Sequence, residues 1–247
     1  MSQKQQNKEA EIEKPLITVV VSTRKSGEEG EEVIKRYQET TTGINVRTRY
    51  IIFSNEGYMG LSELYGSMLK NINIEGDIMI FCHDDLTFLR KGWDDEIYRL
   101  FKDNREYGII GVAGSAEFDA MGAWWMYHKI YGVVLHPNGL TRFSPLLKKD
   151  LEEVCVIDGL FMAVNRKRVS KNFDPDIKGF HFYDIDFCLA NFIDGKTKIG
   201  VTTNIRIRHE SEGSSAYSEG WISNRNQVNE KYAEYYPIEV KKKKHGK

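Results

Sequence analysis

Apolar and polar positions in the first part of the chain alternate between continuous β-branched runs and helical patterns. Residues 16–21 form a largely β-branched run that ends in Ser-Thr-Arg, which is typical of a buried parallel strand. A charged segment with helical composition, 27–42, separates it from a second β-rich run, 46–53, which ends in Ser54-Asn55. Strand, helix and strand in this order predict the beginning of a parallel α/β sheet.

This alternation continues up to residue 113. The elements that it predicts are a helix over 61–70, a strand over 77–82, a helix over 93–104 and a strand over 108–113. The strand over 77–82 runs directly into His83-Asp84-Asp85. The acidic pair therefore lies at the carboxyl end of a predicted strand, where open α/β sheets bind their ligands.

The second half of the chain is less regular. Residues 114–149 are rich in Gly, Pro and aromatic residues and are predicted to form an inserted binding loop or hairpin. The elements predicted after it are a strand over 154–164, a helix over 180–193, a strand over 198–209 and a polar helix over 223–235. No repeat or linker divides the sequence. We therefore expect a flexible polar leader over 1–14, one domain over 15–236 and a basic flexible tail over 237–247.

Composition limits the class of protein. The 247 residues include 35 Lys and Arg against 36 Asp and Glu, a formal net charge of −1, so there is no electrostatic case for nucleic acid. The 40% of hydrophobic residues indicates a globular fold, and no apolar run approaches the ~20 residues of a membrane-spanning helix. The N-terminal residues lack the apolar centre of a secretory signal, so we expect a cytoplasmic protein with at most peripheral membrane contact through its basic tail.

The three cysteines, Cys82, Cys155 and Cys188, occur singly in apolar surroundings. An odd number without CxxC pairs argues against a disulfide framework and against a thiolate zinc site. We expect buried, reduced thiols.

Two pairs of carboxylates and one histidine are the candidates for chemistry. Asp84 and Asp85 offer oxygen ligands for a divalent cation, or form an ordinary strand-end turn. Asp184 and Asp186 lie two residues apart near a helix start, so at most one of them projects into a common site as a general base; the alternative is a capped helix start. His209, beside a Gly/Ser loop, is either a metal ligand or a surface residue.

Five segments in a fixed order carry a resemblance to a known family. They are ITVVVSTR (17–24), IMIFCHDDLTF (78–88), VIDGLFMAVNR (156–166), GFHFYDIDFCLA (179–190) and IRIRHESEGSS (205–215). Their order resembles the GT-A fold of nucleotide-sugar-dependent glycosyltransferases, in particular the family 2 type and its glycosyltransferase-like relatives. This resemblance implies a single α/β, Rossmann-like GT-A domain with a mixed, mostly parallel central sheet flanked by helices.

The same resemblance implies an activity. The protein would transfer a sugar from a UDP- or GDP-sugar donor to a glycan or other hydroxyl acceptor, which could be lipid- or protein-linked, as in polysaccharide biosynthesis. The transfer would be a single displacement with inversion, aided by a divalent metal, Mn²⁺ or Mg²⁺. The Gly/Ser-rich loop over 210–221 would close over the donor as a lid.

The resemblance also assigns roles to residues. Asp184 is implied as the catalytic base, and Asp85 and His209 as metal ligands. The residues implied for nucleotide-sugar binding are Ser22, Thr23, Arg24, Asn55, Glu56, His83, Asp84 and Asp85. Those implied for acceptor binding are Trp124, Trp125, Asp158 and Gly159.

Two positions depart from the family pattern. His83 stands in place of the first aspartate of the Asp-x-Asp motif, and Tyr183 stands where the family has Glu before the catalytic aspartate. These departures leave open a non-catalytic protein that binds a nucleotide sugar or glycan. A nucleotidyltransferase would also place an acidic pair after a strand, but no Gly-rich phosphate loop follows Val21. The presence of Asp184 favours an enzyme, because a pure binding site needs no base.

Overall fold

The computed structural model describes residues 14–142, 147, 149–211 and 217–241. The strands are β1 (Leu16–Thr23), β2 (Arg47–Ser54), β3 (Ile78–Cys82), β4 (Leu86–Phe88), β5 (Tyr107–Gly111), β6 (Ala113–Ser115), β7 (Glu117–Phe118), β8 (Ile130–His136), β9 (Gly139–Arg142), β10 (Glu152–Val154), β11 (Val156–Ile157), β12 (Phe161–Asn165), β13 (Lys198–Val201), β14 (Ile207–His209) and β15 (Ile238–Glu239). The helices are α1 (Gly27–Gln38), α2 (Leu61–Lys70), α3 (Trp93–Asp103), α4 (Tyr183–Asp194) and α5 (Glu219–Tyr232).

The larger sheet has the strand order β10-β13-β5-β12-β3-β1-β2. Strands β2, β1, β3, β5 and β13 run in one direction, whereas β12 and β10 run in the opposite one. The predicted α/β fold with a mixed, mostly parallel sheet is therefore confirmed. The β-branched residues Val19, Val20 and Val21 of β1 are fully buried, as expected for a strand inside a sheet that is covered on both faces.

A second sheet, with the order β11-β6-β8-β14-β4, packs beside the carboxyl end of β3. Strand β9 pairs with β8 in an antiparallel hairpin. Most of this sheet comes from the irregular segment that was predicted to be a loop or hairpin. Its strands β4 and β14 pair antiparallel, so that His209 lies opposite Leu86, three residues after His83.

Two strands predicted as continuous are interrupted. The prediction of one strand over 154–164 is wrong, because β10 and β12 belong to the larger sheet while β11 pairs with β6 in the second sheet. The prediction over 198–209 is wrong for the same reason: β13 pairs with β5, whereas β14 pairs with β4 and β8. Apolar character shows that a residue is buried but not which sheet buries it.

The helices follow their predicted periodicity. Helix α2 has the predicted bounds. In α3, the predicted apolar positions Trp93, Ile97, Leu100 and Phe101 are buried. Helix α5 begins at Glu219, before the predicted start at residue 223, and Ser218 caps it by accepting a hydrogen bond from the Trp221 N–H.

The ends of the domain differ partly from expectation. Ile238 and Glu239, assigned by the sequence to the tail, form β15 and pair with β7. Residues 1–13 of the predicted leader and 242–247 of the tail lie outside the described residues, as do residues 212–216 of the predicted lid. The three cysteines are free and buried, as expected. Within the described ranges, no helix combines the length and apolar character required to cross a bilayer.

Candidate functional site

A cleft of about 470 Å³ opens at the carboxyl ends of β1 and β3, beside the N-terminus of α4. Most of the residues singled out by sequence line it: Ser22, Thr23, Arg24, Asn55, His83, Asp84, Asp85, Trp124, Trp125, Asp158, Gly159, Asp184 and His209. Glu56 does not. It is exposed, and its carboxylate accepts a 3.1 Å hydrogen bond from the Tyr58 hydroxyl.

His83, Asp85 and His209 converge on one point in this cleft. Their ligand atoms all lie within 4.8 Å of one another. His209 Nε2 is 3.4 Å from His83 Nδ1 and 3.3 Å from Asp85 Oδ1. Asp85 Oδ1 is buried and makes no hydrogen bond of suitable geometry within the part of the chain that the structure describes.

The backbone of the His83-Asp84 segment is fixed by several hydrogen bonds. The His83 N–H donates to Leu160 O at 3.0 Å. From helix α1, Tyr37 donates its hydroxyl proton to His83 O, and the Arg36 guanidinium donates to Asp84 O. Arg36 and Tyr37 of α1 thus support the loop that follows β3, which the helical pattern alone did not indicate.

The charges of this cluster depend on one another. Burial alone would raise the pKa of Asp85, but the neighbouring His209 and His83 lower it to about 2. Burial opposes protonation of His209, yet the Asp85 carboxylate raises the pKa of this histidine. Burial lowers the pKa of His83. Asp85 is therefore an anion at neutral pH, as a cation ligand must be.

Asp84 and Asn55 contact the end of β1 in different ways. Asp84 Oδ2 accepts a hydrogen bond from the Thr23 hydroxyl. Asn55 is 1% exposed, and its side chain bonds to Met59 N and O at 3.1 and 2.8 Å, which closes the turn after β2. Both side chains are therefore held in place in the cleft wall.

Asp184 is a partly buried carboxylate of the cleft. Its Oδ2 accepts from Gly159 N–H at 2.7 Å, and its Oδ1 from Ile185 N–H at 2.9 Å. Burial, reinforced by the negative charge of Asp158, raises the pKa of Asp184 to about 7. A carboxyl group with this pKa can both take up and release a proton near neutral pH.

Asp186 has a separate role. It is 1% exposed, and its Oδ1 accepts hydrogen bonds from Lys231 Nζ at 2.7 Å and from the Tyr232 hydroxyl at 3.0 Å. These bonds fix α5 to α4. Of the two aspartates near the start of α4, only Asp184 lines the cleft, in agreement with their spacing.

An aromatic wall forms part of the cleft lining; we use this name for Trp124, Trp125, Phe182 and Trp221. The Trp221 ring centre lies 5.1 Å from that of Phe182 and 6.5 Å from that of Trp125. Sequence reasoning selected the tryptophan pair but missed Trp221, which it assigned to the predicted lid, and Phe182. Phe182 has a left-handed backbone, φ 62°, an uncommon conformation for a bulky residue.

Comparison with known proteins adds to this geometry. The model of a glycosyltransferase-like family matches residues 65–241. The chain belongs to this glycosyltransferase-like family. The match includes the three convergent residues, Asp184 and the aromatic wall.

Solved structures show that this glycosyltransferase-like protein has the GT-A fold, as the resemblance implied. GalNAc-T7 with UDP, GalNAc and Mn²⁺ is 12% identical, with a TM-score of 0.53 over 92% of this chain and 50% of that one. The mannosyltransferase PcManGT from Pyrobaculum calidifontis, in complex with GDP-Man and Mn²⁺, is 11% identical, with a TM-score of 0.53 over 90% and 65% of the two chains. The catalytic domain of Drosophila β1,4-galactosyltransferase 7 is 12% identical, with a TM-score of 0.52 over 87% and 79%.

One curated relative of this glycosyltransferase-like protein is "ATP synthase subunits region ORF 6" of Fuscovulum blasticum. The two are 25% identical over 169 residues, which is 66% of this chain. The chain matches 62% of the length of that relative.

The convergent residues of this glycosyltransferase-like protein fit a divalent metal. Two ligand atoms that each lie about 2.1 Å from one ion are about 3.0–3.4 Å apart at octahedral or tetrahedral angles. The separations of 3.3 and 3.4 Å at His209 Nε2 agree with this range. The orphaned Asp85 Oδ1 supplies the negative charge. Two imidazoles and one carboxylate suit transition metals such as Mn²⁺ better than they suit Mg²⁺, which prefers oxygen ligands.

Proposed function

We propose that this protein transfers a sugar from a nucleotide-sugar donor to a hydroxyl group of an acceptor, with inversion at the anomeric carbon. The observation that carries the proposal is the presence, in one cleft, of a partly buried carboxyl at Asp184, whose pKa is raised to about 7, and of a convergent cation site at His83, Asp85 and His209. A general base and a site for the charge of a diphosphate are the two requirements of this reaction.

The donor would bind on the β1 and β3 side of the cleft. GalNAc-T7, PcManGT and S. aureus TarS, which share the fold, were solved with UDP, GDP-Man and UDP-GlcNAc respectively, which supports a UDP- or GDP-sugar donor. The first two also contain Mn²⁺. We propose that Asp85 and His209, with His83, hold a divalent metal, which when bound neutralises the charge of the departing diphosphate.

Ser22, Thr23, Arg24 and Asp84 would contact the nucleotide from the carboxyl ends of the strands. Arg24 is exposed, and its guanidinium lies 5.5 Å from the ring centre of Phe180 at the cleft mouth. A cation in this position can pair with phosphate oxygens while the aromatic ring fixes its orientation.

The acceptor would bind against the aromatic wall. Trp125 is partly exposed, whereas Trp124 and Trp221 are mostly buried where they line the cleft. Flat aromatic faces beside a polar cleft suit a sugar ring, which has an apolar face and hydroxyl edges. We therefore propose a glycan acceptor, free or linked to a lipid or protein, with Asp158 and Gly159 beneath it.

The chemical step would be a single displacement. Asp184 takes the proton from the acceptor hydroxyl as the acceptor oxygen forms a bond to the anomeric carbon. The bond between this carbon and the diphosphate oxygen breaks at the same time, and the nucleoside diphosphate leaves with the electron pair. Because attack and departure occur on opposite faces, the configuration inverts.

Calorimetric titration tests the donor site. The protein is titrated with UDP, GDP and their sugar conjugates, with and without Mn²⁺, and Asp85→Ala and His209→Ala are compared with His128→Ala, an exposed histidine outside the cleft. We expect metal-dependent binding of one nucleotide series in the wild type and in the control, and at least about a tenfold loss in both ligand variants. Failure of every nucleotide to bind would overturn the proposal.

A release assay tests turnover. Nucleoside diphosphate formation is followed with a panel of glycan acceptors, in the wild type and in Asp184→Asn. Turnover that requires Asp184 supports the enzyme. Tight nucleotide-sugar binding without turnover on any acceptor would instead support the binding protein that the departures at His83 and Tyr183 left open.

A further inference from the structure

The two departures from the family pattern contact each other. His83 Nε2 lies 3.2 Å from the hydroxyl of Tyr183, although the two residues are 100 positions apart in the chain. We propose that Tyr183 is a positioning residue that holds His83 as a third metal ligand, so that the protein binds its divalent metal in the absence of nucleotide. This inference deepens the proposed function and rests on the cation site described there.

The hydrogen bonds of the Tyr183 hydroxyl determine the tautomer of the His83 imidazole. The Tyr183 hydroxyl donates its only proton to Gly159 O at 2.9 Å. It can therefore only accept in its contact with His83, so the proton of the neutral His83 ring lies on Nε2. Nδ1 is left with a free lone pair, which is the form that binds a metal.

The free nitrogen points to the other ligands. His83 Nδ1 lies 3.4 Å from His209 Nε2, and both belong to the cluster whose ligand atoms are within 4.8 Å of one another. The Tyr183 contact and the metal-facing nitrogen are on opposite sides of the same ring. Histidine ligands in proteins commonly use one nitrogen for the metal and donate the other N–H to a neighbouring oxygen.

The positioning residue is itself rigid. Tyr183 is 3% exposed, and its ring packs edge-on against Tyr65 with centres 5.6 Å apart. Its hydroxyl fills the space above Gly159, where a Cβ atom would lie 2.1 Å from the tyrosine oxygen. The His83 backbone is held at both its N–H and its carbonyl. The ring of His83 is therefore oriented before any ligand binds.

Three oriented protein ligands should allow the metal to bind before the nucleotide. A site with only one or two carboxylates depends on substrate phosphates to complete its coordination. Two imidazoles and a carboxylate already resemble complete protein sites for transition metals. We therefore expect Mn²⁺ or Co²⁺ to bind to the protein alone, and to bind more tightly than Mg²⁺.

The test is metal binding without nucleotide. MnCl₂ is titrated calorimetrically into the wild type, Tyr183→Phe and His83→Gln, and the visible spectrum of bound Co²⁺ is recorded in parallel. We expect one site in the wild type, an affinity about 10–100-fold weaker in Tyr183→Phe, and a loss at least as large in His83→Gln, with altered Co²⁺ bands in both.

Tyr232→Phe is the matched control. It also removes a buried tyrosine hydroxyl, but one that contacts Asp186 and lies outside the cleft lining. Its metal affinity should stay within about twofold of the wild type. If Tyr183→Phe does not fold by near-ultraviolet circular dichroism, Gly159→Ala carries the test of Tyr183, because its Cβ would lie 2.1 Å from the Tyr183 oxygen and would displace this hydroxyl from His83. An Mn²⁺ affinity of Gly159→Ala within about twofold of the wild type would overturn the role of Tyr183.

Several results would overturn the inference: no metal binding by the wild type without nucleotide, an affinity of Tyr183→Phe or His83→Gln within about twofold of the wild type, or unchanged Co²⁺ bands. The outcome is separable from that of the proposed function. If the protein binds metal in a way that depends on Tyr183 but binds no nucleotide, the inference is supported and the proposed donor site is rejected. If it binds a nucleotide but the free protein binds no metal, the donor site is supported and the inference is rejected.

Discussion

Asp184 and Gly159 are joined through the backbone: Asp184 Oδ2 accepts a 2.7 Å hydrogen bond from the Gly159 N–H. The carbonyl of the same glycine accepts the hydroxyl proton of Tyr183. A single residue between β11 and β12 thus orients both the proposed base and the proposed support of His83. The interruption of the strand predicted over 154–164 creates this position.

Gly159→Ala should remove activity with little change in the rest of the fold. The added Cβ would lie 2.1 Å from the Tyr183 oxygen and 3.0 Å from Asp184 Oδ2, so both side chains must move. A displacement of about 1 Å at a catalytic group costs on the order of 100-fold in rate, and we expect at least this loss in kcat/KM for nucleotide release. Gly220→Ala is the control, since its Cβ meets nothing closer than 3.9 Å. A Gly159→Ala enzyme with wild-type kcat/KM would contradict the placement of Asp184.

The kcat/KM of the reaction should increase with pH and then reach a plateau. The base must be ionised to accept a proton, and the pKa of Asp184 is raised to about 7 by burial and by Asp158. We expect kcat/KM to rise about tenfold per pH unit below this pKa and to level off above it. Asp184→Asn should lower kcat by about 10²–10⁴-fold, and its residual rate should lack the inflection. An inflection that persists in Asp184→Asn would assign the base elsewhere.

Replacement of Trp125 should weaken binding of the acceptor but not binding of the donor. Its ring is partly exposed on the aromatic wall, against which the proposed function places the acceptor. We expect Trp125→Ala to raise the acceptor KM by about tenfold, which corresponds to roughly 1.4 kcal/mol, while the donor KM stays within about twofold. Tyr235→Ala, an exposed aromatic outside the cleft, serves as the comparison in the same steady-state assays. An equal rise in both KM values for Trp125→Ala would argue against an acceptor role.

Lys231→Met should reduce stability without affecting the chemistry. Lys231 Nζ lies 2.7 Å from the buried Asp186 and 2.7 Å from Asp174. Because Lys231 is partly exposed, we expect a loss of about 1–3 kcal/mol in the free energy of unfolding, between the values for surface and buried pairs. Urea denaturation measures this loss, and activity well below the transition should be unchanged.

The loss of stability caused by Lys231→Met should also depend on pH. Burial already raises the pKa of Asp186, and removal of the lysine raises it further. A buried acid with a raised pKa costs stability as pH rises above the pKa of the unfolded chain, so the deficit should be larger at pH 7 than near pH 4. Lys167→Met breaks an exposed pair with Asp77 and should cost less than about 1 kcal/mol at either pH. A pH-independent deficit would contradict this account.

Local pattern was sufficient for the elements that carry the donor side of the site. The run of β3 into His83-Asp84-Asp85 and the bounds of α2 follow from periodicity and from the polar residues at which each pattern stops. The spacing of Asp184 and Asp186 on one helix predicted that at most one of them lines the cleft, and the structure places Asp184 there. These properties depend on neighbours within a few positions.

The α/β class, the strands and helices up to residue 113 and the polar side chains at the strand ends all follow from the amino-acid sequence. Which of these side chains meet depends on the folded chain, which leaves Glu56 out of the cleft, adds Trp221, and brings His83 to Tyr183 and His209. The reason is physical. Burial and periodicity are set by local chain geometry, whereas contacts across 100 or more positions depend on which sheet each short strand joins, and equally apolar strands carry no local signal for that choice.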